Sequence, residues 1–401
     1  MKEKVWVKIP DVLFYQEGPG VRNTQYTNDG VKLLNVANLV DGKINLETSD
    51  RYISCEEANG KYKHFLCDEG DLIVASSGVK VDYIDKKMGF VTKEMLPLCM
   101  NTSTIRFKVL DDSQLNIRYF MYYLKSQNYK KQLSKLITGS AQLNYGPSHL
   151  EKIIFPICDF KKQEEIVLKL DLVTQILEDY KIQILKYDDL IKARFVEMFG
   201  NPVINDKEWK QESLGRLATK IGSGATPKGG KETYREDGIA LIRSMNVHNG
   251  QFEYKDLAHI SYEQASQLDN VTIEENDILL NITGASVARC CIAPADILPA
   301  RVNQHVCIVR CKGSIMPNFL SFLLIDDNYQ DLLWSIAGGG ATREAITKQQ
   351  IENLQIILPP IELQQQFADF AKQVDKSKLA VQQSLEKTQQ LFDSLMQEYF
   401  G

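Results

Sequence analysis

"QEEIVLKLDLVTQILEDYKIQILKYDDLIKARFVEMFG", residues 163–200, contains no proline, and its only glycine is the last residue. Along it one stripe recurs in a seven-residue rhythm: Ile166, Leu170, Val173, Leu177, Tyr180, Ile184, Tyr187, Ile191, then Arg194 and Met198. Apolar positions sustained at this period predict a long helix with a coiled-coil seam. Adding 201 to each number gives Phe367, Ala371, Val374, Lys378, Val381, Leu385, Thr388, Phe392, Leu395 and Tyr399, the same seam in more polar form. A single stripe fits a helix lying on its own globule. Two matching, uncapped stripes favour pairing with each other.

The stripes are the visible part of a longer duplication. "MFGNP" at 198–202 is echoed by "YFG" at 399–401. Asp29-Gly30-Val31 with Asn38 and Gly42 recurs as Asp237-Gly238-Ile239 with Asn246 and Gly250, and Gly70-Asp71-Leu72-Ile73 as Asn276-Asp277-Ile278-Leu279. Leu96-Pro97 with Asn101 answers to Leu298-Pro299 with Asn303, and Leu150-Glu151 to Ile351-Glu352. The offset drifts only between 208 and 200, as loop insertions would make it. The chain therefore reads as two copies of one unit, each an α/β globule (1–160 and 201–360) followed by a long helix (161–200 and 361–401). Each globule combines short β-branched runs, such as 71–75 and 277–281, with one helix, near 117–137 and 317–337.

Length decides how the helices pair. A helix from 163 to 199 spans about 55 Å, whereas a 160-residue globule has a radius of gyration of only about 15 Å. A parallel pair would require the second globule to return the chain along that whole distance, so the expected arrangement is antiparallel. The predicted fold class is α/β (α+β): two similar domains separated by two long helices in an antiparallel coiled coil, with approximate two-fold symmetry.

Several motifs resemble the DNA-specificity subunit of type I restriction-modification systems. They are Gly224-Ala225-Thr226-Pro227, Glu275-Asn276-Asp277-Ile278-Leu279, Val302-Asn303-Gln304-His305 and the run from Leu358-Pro359-Pro360 to Gln364-Gln365-Gln366. The first half departs from them, with Asn101-Thr102-Ser103 facing Asn303-Gln304-His305. The resemblance covers the whole chain. It implies that each globule is a target recognition domain reading one half of a split DNA sequence. It also implies two methyltransferase (modification) subunits and restriction/translocase subunits as partners. S-adenosylmethionine, Mg and ATP are then expected on those partners and no cofactor on this chain. Divergence at aligned positions, Asn35 against Arg243 and Gln142 against Thr342, predicts an asymmetric bipartite target on double-stranded DNA.

Base readers should be polar, long enough to reach a groove edge, and carried on glycine-held loops. Copy one offers Ser76, Ser77, Lys80, Gln142, Asn144 and Tyr145. Copy two offers Thr226, Lys228, Arg243, Thr283, Ser286, Thr342 and Arg343. Gln142 or Asn144 suits adenine, and Arg343 or Arg243 guanine; each also suits an ordinary turn. Replacing Arg343 by alanine is expected to relax one half-site only.

Charge gives this reading little support. The net is −5 overall, +2 for 1–160 and −4 for 201–360, where a free-standing DNA binder usually shows a basic footprint. Clusters at Lys80, Lys86 and Lys87 and at Lys125, Lys130, Lys131 and Lys135 suit solvated faces as well as phosphates. Much of the backbone grip is therefore expected from partner chains.

Enzymatic readings fare worse. The only Pro-Pro, Pro359-Pro360, follows Leu358 rather than the polar residue of a methyltransferase motif, and Gly230-Lys231 lacks the glycine and hydroxyl residue of a phosphate-binding loop. His305, Cys307 and Cys311 lack the spacing of a zinc site. The eight cysteines form no short-spaced framework and read as reduced, mostly buried thiols. The start, MKEKVWVKIP, has no secretory pattern, and a cytoplasmic location is expected. A protein-binding scaffold without DNA stays open as the alternative.

Overall fold

The computed structural model describes residues 4–137, 144–226, 230–338 and 344–401, with the backbone only at Lys231 and Thr233. Contacts divide the chain into two compact units, Met1–Lys181 with Gln383–Gly401, and Ile182–Gln382. Each unit joins one globule to a part of both long helices.

In the first unit Thr104–Val109 is the spine of a four-stranded sheet. It pairs antiparallel with Leu13–Glu17 on one side and Leu72–Ala75 on the other, and Met88–Phe90 lies beyond. All four residues of Leu72–Ala75 are buried, as their continuous apolar run requires. A smaller sheet sets Val31–Leu34 between Tyr52–Ile53, antiparallel, and Leu98–Met100, parallel. Val5–Lys8 pairs with Ile154–Ile157, tying the early chain to the strand that precedes the long helix.

The second unit repeats this topology strand for strand. Val306–Cys311 is flanked by Ala218–Ser223 and Ile278–Asn281, with Cys290–Ile292 beyond. Ile239–Ile242 lies between Ala258–Ile260 and Ala300–Val302 with the same senses, and Gln211–Ser213 pairs with Gln355–Ile357. One backbone constraint recurs as well. A Cβ at Gly18 would stand 2.0 Å from the Asn101 carbonyl oxygen, and one at Gly224 would stand 1.7 Å from that of Val302, so only glycine fits.

Each globule carries a broken helix where a continuous one is predicted. The pieces are Ile117–Lys125 and Gln127–Leu136, then Pro317–Ile325 and Asp327–Gly338. At the first break the Ser126 hydroxyl accepts from the Tyr129 amide; at the second the Asp326 carboxylate accepts from Asn328 at 3.0 Å. Both are N-cap side chains that compete with the helix for its own donors. The apolar period runs on across the break, which hides it from a reading of periodicity.

The long helices run Phe160–Phe199 and Ile361–Phe400. In the first unit Ile166, Val167 and Leu170 share a core with Met396, Tyr399 and Phe400. In the second, Ile191, Phe195 and Phe199 share one with Phe367, Ala371 and Val374. Early residues of one helix meet late residues of the other in both units, so the paired segments run in opposite directions. Val173 and Leu177 are buried, and Tyr180, Ile184, Val381, Leu385, Phe392 and Leu395 are half-buried, so no predicted seam position is exposed. Lys378 keeps its place on the stripe by an ion pair with Asp188 at 2.5 Å.

A buried glutamine pins the first turn of each helix to its globule. Gln163 is fully buried; its Oε1 accepts from the Asn116 amide at 2.9 Å, and its Nε2 donates to the Gln114 and Cys158 carbonyls at 2.8 Å. Gln364, 201 residues on, accepts from the Met316 amide and donates to the Pro359 carbonyl, both at 2.9 Å.

Candidate nucleic-acid interface

Backbone hydrogen bonds lace the same set of loops together in each unit. In the second, the Gly224 amide donates to Asn303 (3.1 Å), Asn303 to Ile242 (3.0 Å), Ile282 to His305 (3.0 Å), and Gly284 to Glu344 (2.9 Å). In the first, Asn101 donates to Leu34 (3.1 Å), Ser76 to Ser103 (2.8 Å) and Tyr145 to Ser76 (3.0 Å), and Ser77 bridges Asn144. Segments distant in sequence thus form one loop cluster per globule.

In the second cluster four polar side chains form a chain. The Thr226 hydroxyl bonds the Gln304 Oε1; the Gln304 Nε2 lies 3.1 Å from the His305 Nε2; the His305 Nδ1 lies 2.6 Å from the Thr283 hydroxyl. Beneath it Asn303 is buried, and its side chain accepts from the His305 amide at 3.0 Å. Arg243 is half-buried: its guanidinium lies 5.3 Å from the Tyr234 ring centre and donates to the Asp256 carbonyl. That side chain is therefore already held from two sides. Ser286 is half-buried in a turn, its carbonyl accepting from Arg289.

The first cluster is furnished differently. Asn101 donates at 2.8 Å to the Oδ1 of Asn35, the residue that stands where the second unit has Arg243. Thr102 and Ser103, short hydroxyl residues, stand where Gln304 and His305 stand in the second. Tyr26, the counterpart of Tyr234, also lies under an arginine, here Arg51 at 5.3 Å. The aromatic platform is kept while the cation comes from a different place in the chain, the residue just before Tyr52–Ile53.

The placement of the remaining candidates is mixed. Lys80 and Asn144 are exposed and Ser77 is half-buried. Ser76 and Tyr145 are only 1% and 2% exposed, so the expectation that they face a groove fails. Both lie on the apolar side of the loop, and burial raises the Tyr145 phenol well above its ordinary range. Gln142, Lys228, Thr342 and Arg343 lie outside the described residues.

The basic clusters do not form one free patch. Lys130 is spent on Asp85 at 3.1 Å, and Lys125 lies against the Tyr122 ring, where burial lowers its pKa. Lys80 and Lys86 stay exposed. Among the described residues no group of three His, Cys, Asp or Glu could hold a metal ion, and no helix is long and apolar enough to cross a membrane.

The residues that sequence reasoning missed are Gln304 and His305 as members of one hydrogen-bonded chain with Thr226 and Thr283. The available signal was the contrast of Gln304-His305 with Thr102-Ser103 at aligned positions. It marks a place where two copies of one fold carry different hydrogen-bonding surfaces.

A duplicated α/β fold, presenting two differently furnished polar loop clusters and fused to paired long helices, defines a tandem recognition protein. A model of the type I restriction modification DNA specificity domain matches residues 2–187 and again 206–390, and the chain belongs to this family. It is 23% identical to the type I restriction enzyme EcoBI specificity subunit of Escherichia coli, over 98% of this chain and 85% of that one. It is 26% identical to the MjaVIII specificity subunit of Methanocaldococcus jannaschii, where the match spans 43% of this chain and 40% of the relative. The S subunit of a type I restriction-modification system from M. genitalium shares the fold, with a TM-score of 0.56 at 14% identity, over 100% of this chain and 96% of that one. Members of this family are the non-catalytic, DNA-recognising components of their systems.

Proposed function

We propose that the chain reads an asymmetric, two-part DNA target, one half-site per globule, and positions adenine methyltransferase and restriction subunits on it. The observation that carries this reading is the repetition of one fold and one loop lacing with different polar groups: Thr102 and Ser103 against Gln304 and His305, Asn35 against Arg243. A duplicated scaffold with divergent groove-reaching side chains suits two different short sequences. The spacer between them is tolerated in sequence and fixed in length. The net acidity of the second globule supports assigning much of the phosphate grip to the partner chains. S-adenosylmethionine, Mg and ATP belong to those partners and none to this chain.

The test is enrichment of bound duplexes from a random-sequence pool, with and without a co-purified methyltransferase subunit. A two-part motif with a constant gap supports the proposal. Enrichment of no sequence in either condition favours a protein-binding scaffold.

A further inference from the structure

The chain Thr226–Gln304–His305–Thr283 holds an exposed amide in a fixed orientation. A glutamine side chain offers two N–H donors and two oxygen lone pairs. At Gln304 the His305 ring occupies one site on the amide nitrogen and the Thr226 hydroxyl one on the oxygen. Among the described residues neither atom has another partner, which leaves one donor and one acceptor of the amide unspent. His305 is itself fixed, because its Nδ1 meets Thr283 and its backbone is bonded on both sides, to Asn303 and to Ile282. The rotamer freedom that a free surface glutamine loses on binding is thus partly removed in the folded protein.

One donor beside one acceptor is the complement of adenine in the major groove, which presents the N7 acceptor next to the N6 donor. We propose that Gln304 is a specificity-determining residue of the second globule, reading one adenine of its half-site, with His305 as the residue that positions it. The assignment rests on the DNA-reading role proposed above. It is specific to this globule, since Thr102 and Ser103 at the aligned place have neither the reach nor the paired donor and acceptor.

The experiment uses the full-length chain with its co-purified methyltransferase subunits, a randomised duplex pool, and sequencing of the bound fraction. The expected wild-type result is a two-part motif. Gln304→Ala should lower the preference for adenine at one position of one half-site by about ten-fold, leaving every other position unchanged. Gln304→Arg should shift that same position toward guanine, a gain of preference that a damaged fold cannot produce. His305→Ala should blur the same position to a smaller degree and no other. The assignment is overturned if Gln304→Ala leaves all base preferences intact, or if it weakens the whole motif evenly as loss of a phosphate contact would. If the wild-type complex enriches no motif, the DNA-reading role itself falls, and the assignment with it.

Discussion

The ring of Phe199 meets that of Phe319 edge-on, centroids 4.8 Å apart, where the end of the first long helix enters the core of the second globule. Phe195 and Phe367 complete the cluster, with Phe199 and Phe367 both fully buried. Phe199→Ala should therefore destabilise the second unit by about 3–5 kcal/mol. On the same helix Leu185 is 64% exposed, and Leu185→Ala should stay within about 0.5 kcal/mol of wild type. Denaturant midpoints of the two variants check the contrast. Equal midpoints would mean that the aromatic cluster does not join helix to globule.

Gln163→Leu and Gln364→Leu should each cost about 1–3 kcal/mol, because each leaves a part-buried amide N–H without its acceptor. The expected local signature is faster hydrogen exchange at Asn116 in the first variant and at Met316 in the second. Exchange unchanged at both amides would show that the glutamines do not secure the helix starts.

Asp277 is fully buried, and Arg310 meets it with two bonds, Nε at 2.8 Å and Nη2 at 2.7 Å. The bond to Asp277 raises the Arg310 pKa, so the guanidinium stays charged throughout the accessible range. Arg310→Ala leaves a buried carboxylate unpaired and should cost about 3–5 kcal/mol. The double variant Arg310→Met with Asp277→Leu should be the less destabilised of the two. Thermal unfolding compares them, and a double variant worse than the single one would contradict this account.

Burial pushes Cys291, Cys307 and Cys311 up to about 12, while Cys55 is exposed. A thiol pushed up to about 12 carries almost no thiolate at pH 8, and the thiolate is the nucleophile. Alkylation of the native protein at that pH, followed by peptide mass spectrometry, should label Cys55 first and spare these three until denaturant is added. Rapid labelling of Cys307 in native buffer would show that its strand opens readily.

The duplication and the helical seam were legible because they depend on spacing along the chain. The matches of Asp29 with Asp237 and of Leu170 with Ala371 need no knowledge of what lies opposite them. The breaks at Ser126 and Asp326 were not legible, since a cap there depends on a side chain turning back on its own backbone. Ser76 and Tyr145 were misplaced for a related reason: a serine two residues before a glycine and a tyrosine beside asparagine look like loop residues until the Ser76–Tyr145 backbone bond draws both inward. The Thr226–Gln304–His305–Thr283 chain gathers residues 78 positions apart, and only folding brings them together.

The first compact unit takes Gln383–Gly401 as part of its core, while the second is complete by Gln382. During synthesis at about 5–20 residues per second, the later half of the message therefore finishes its own globule before it supplies the segment that finishes the earlier one. Met396, Tyr399 and Phe400 reach Ile166 and Leu170 only after all of the second unit has been translated. Of the two globules, the one translated earlier is the one sealed later.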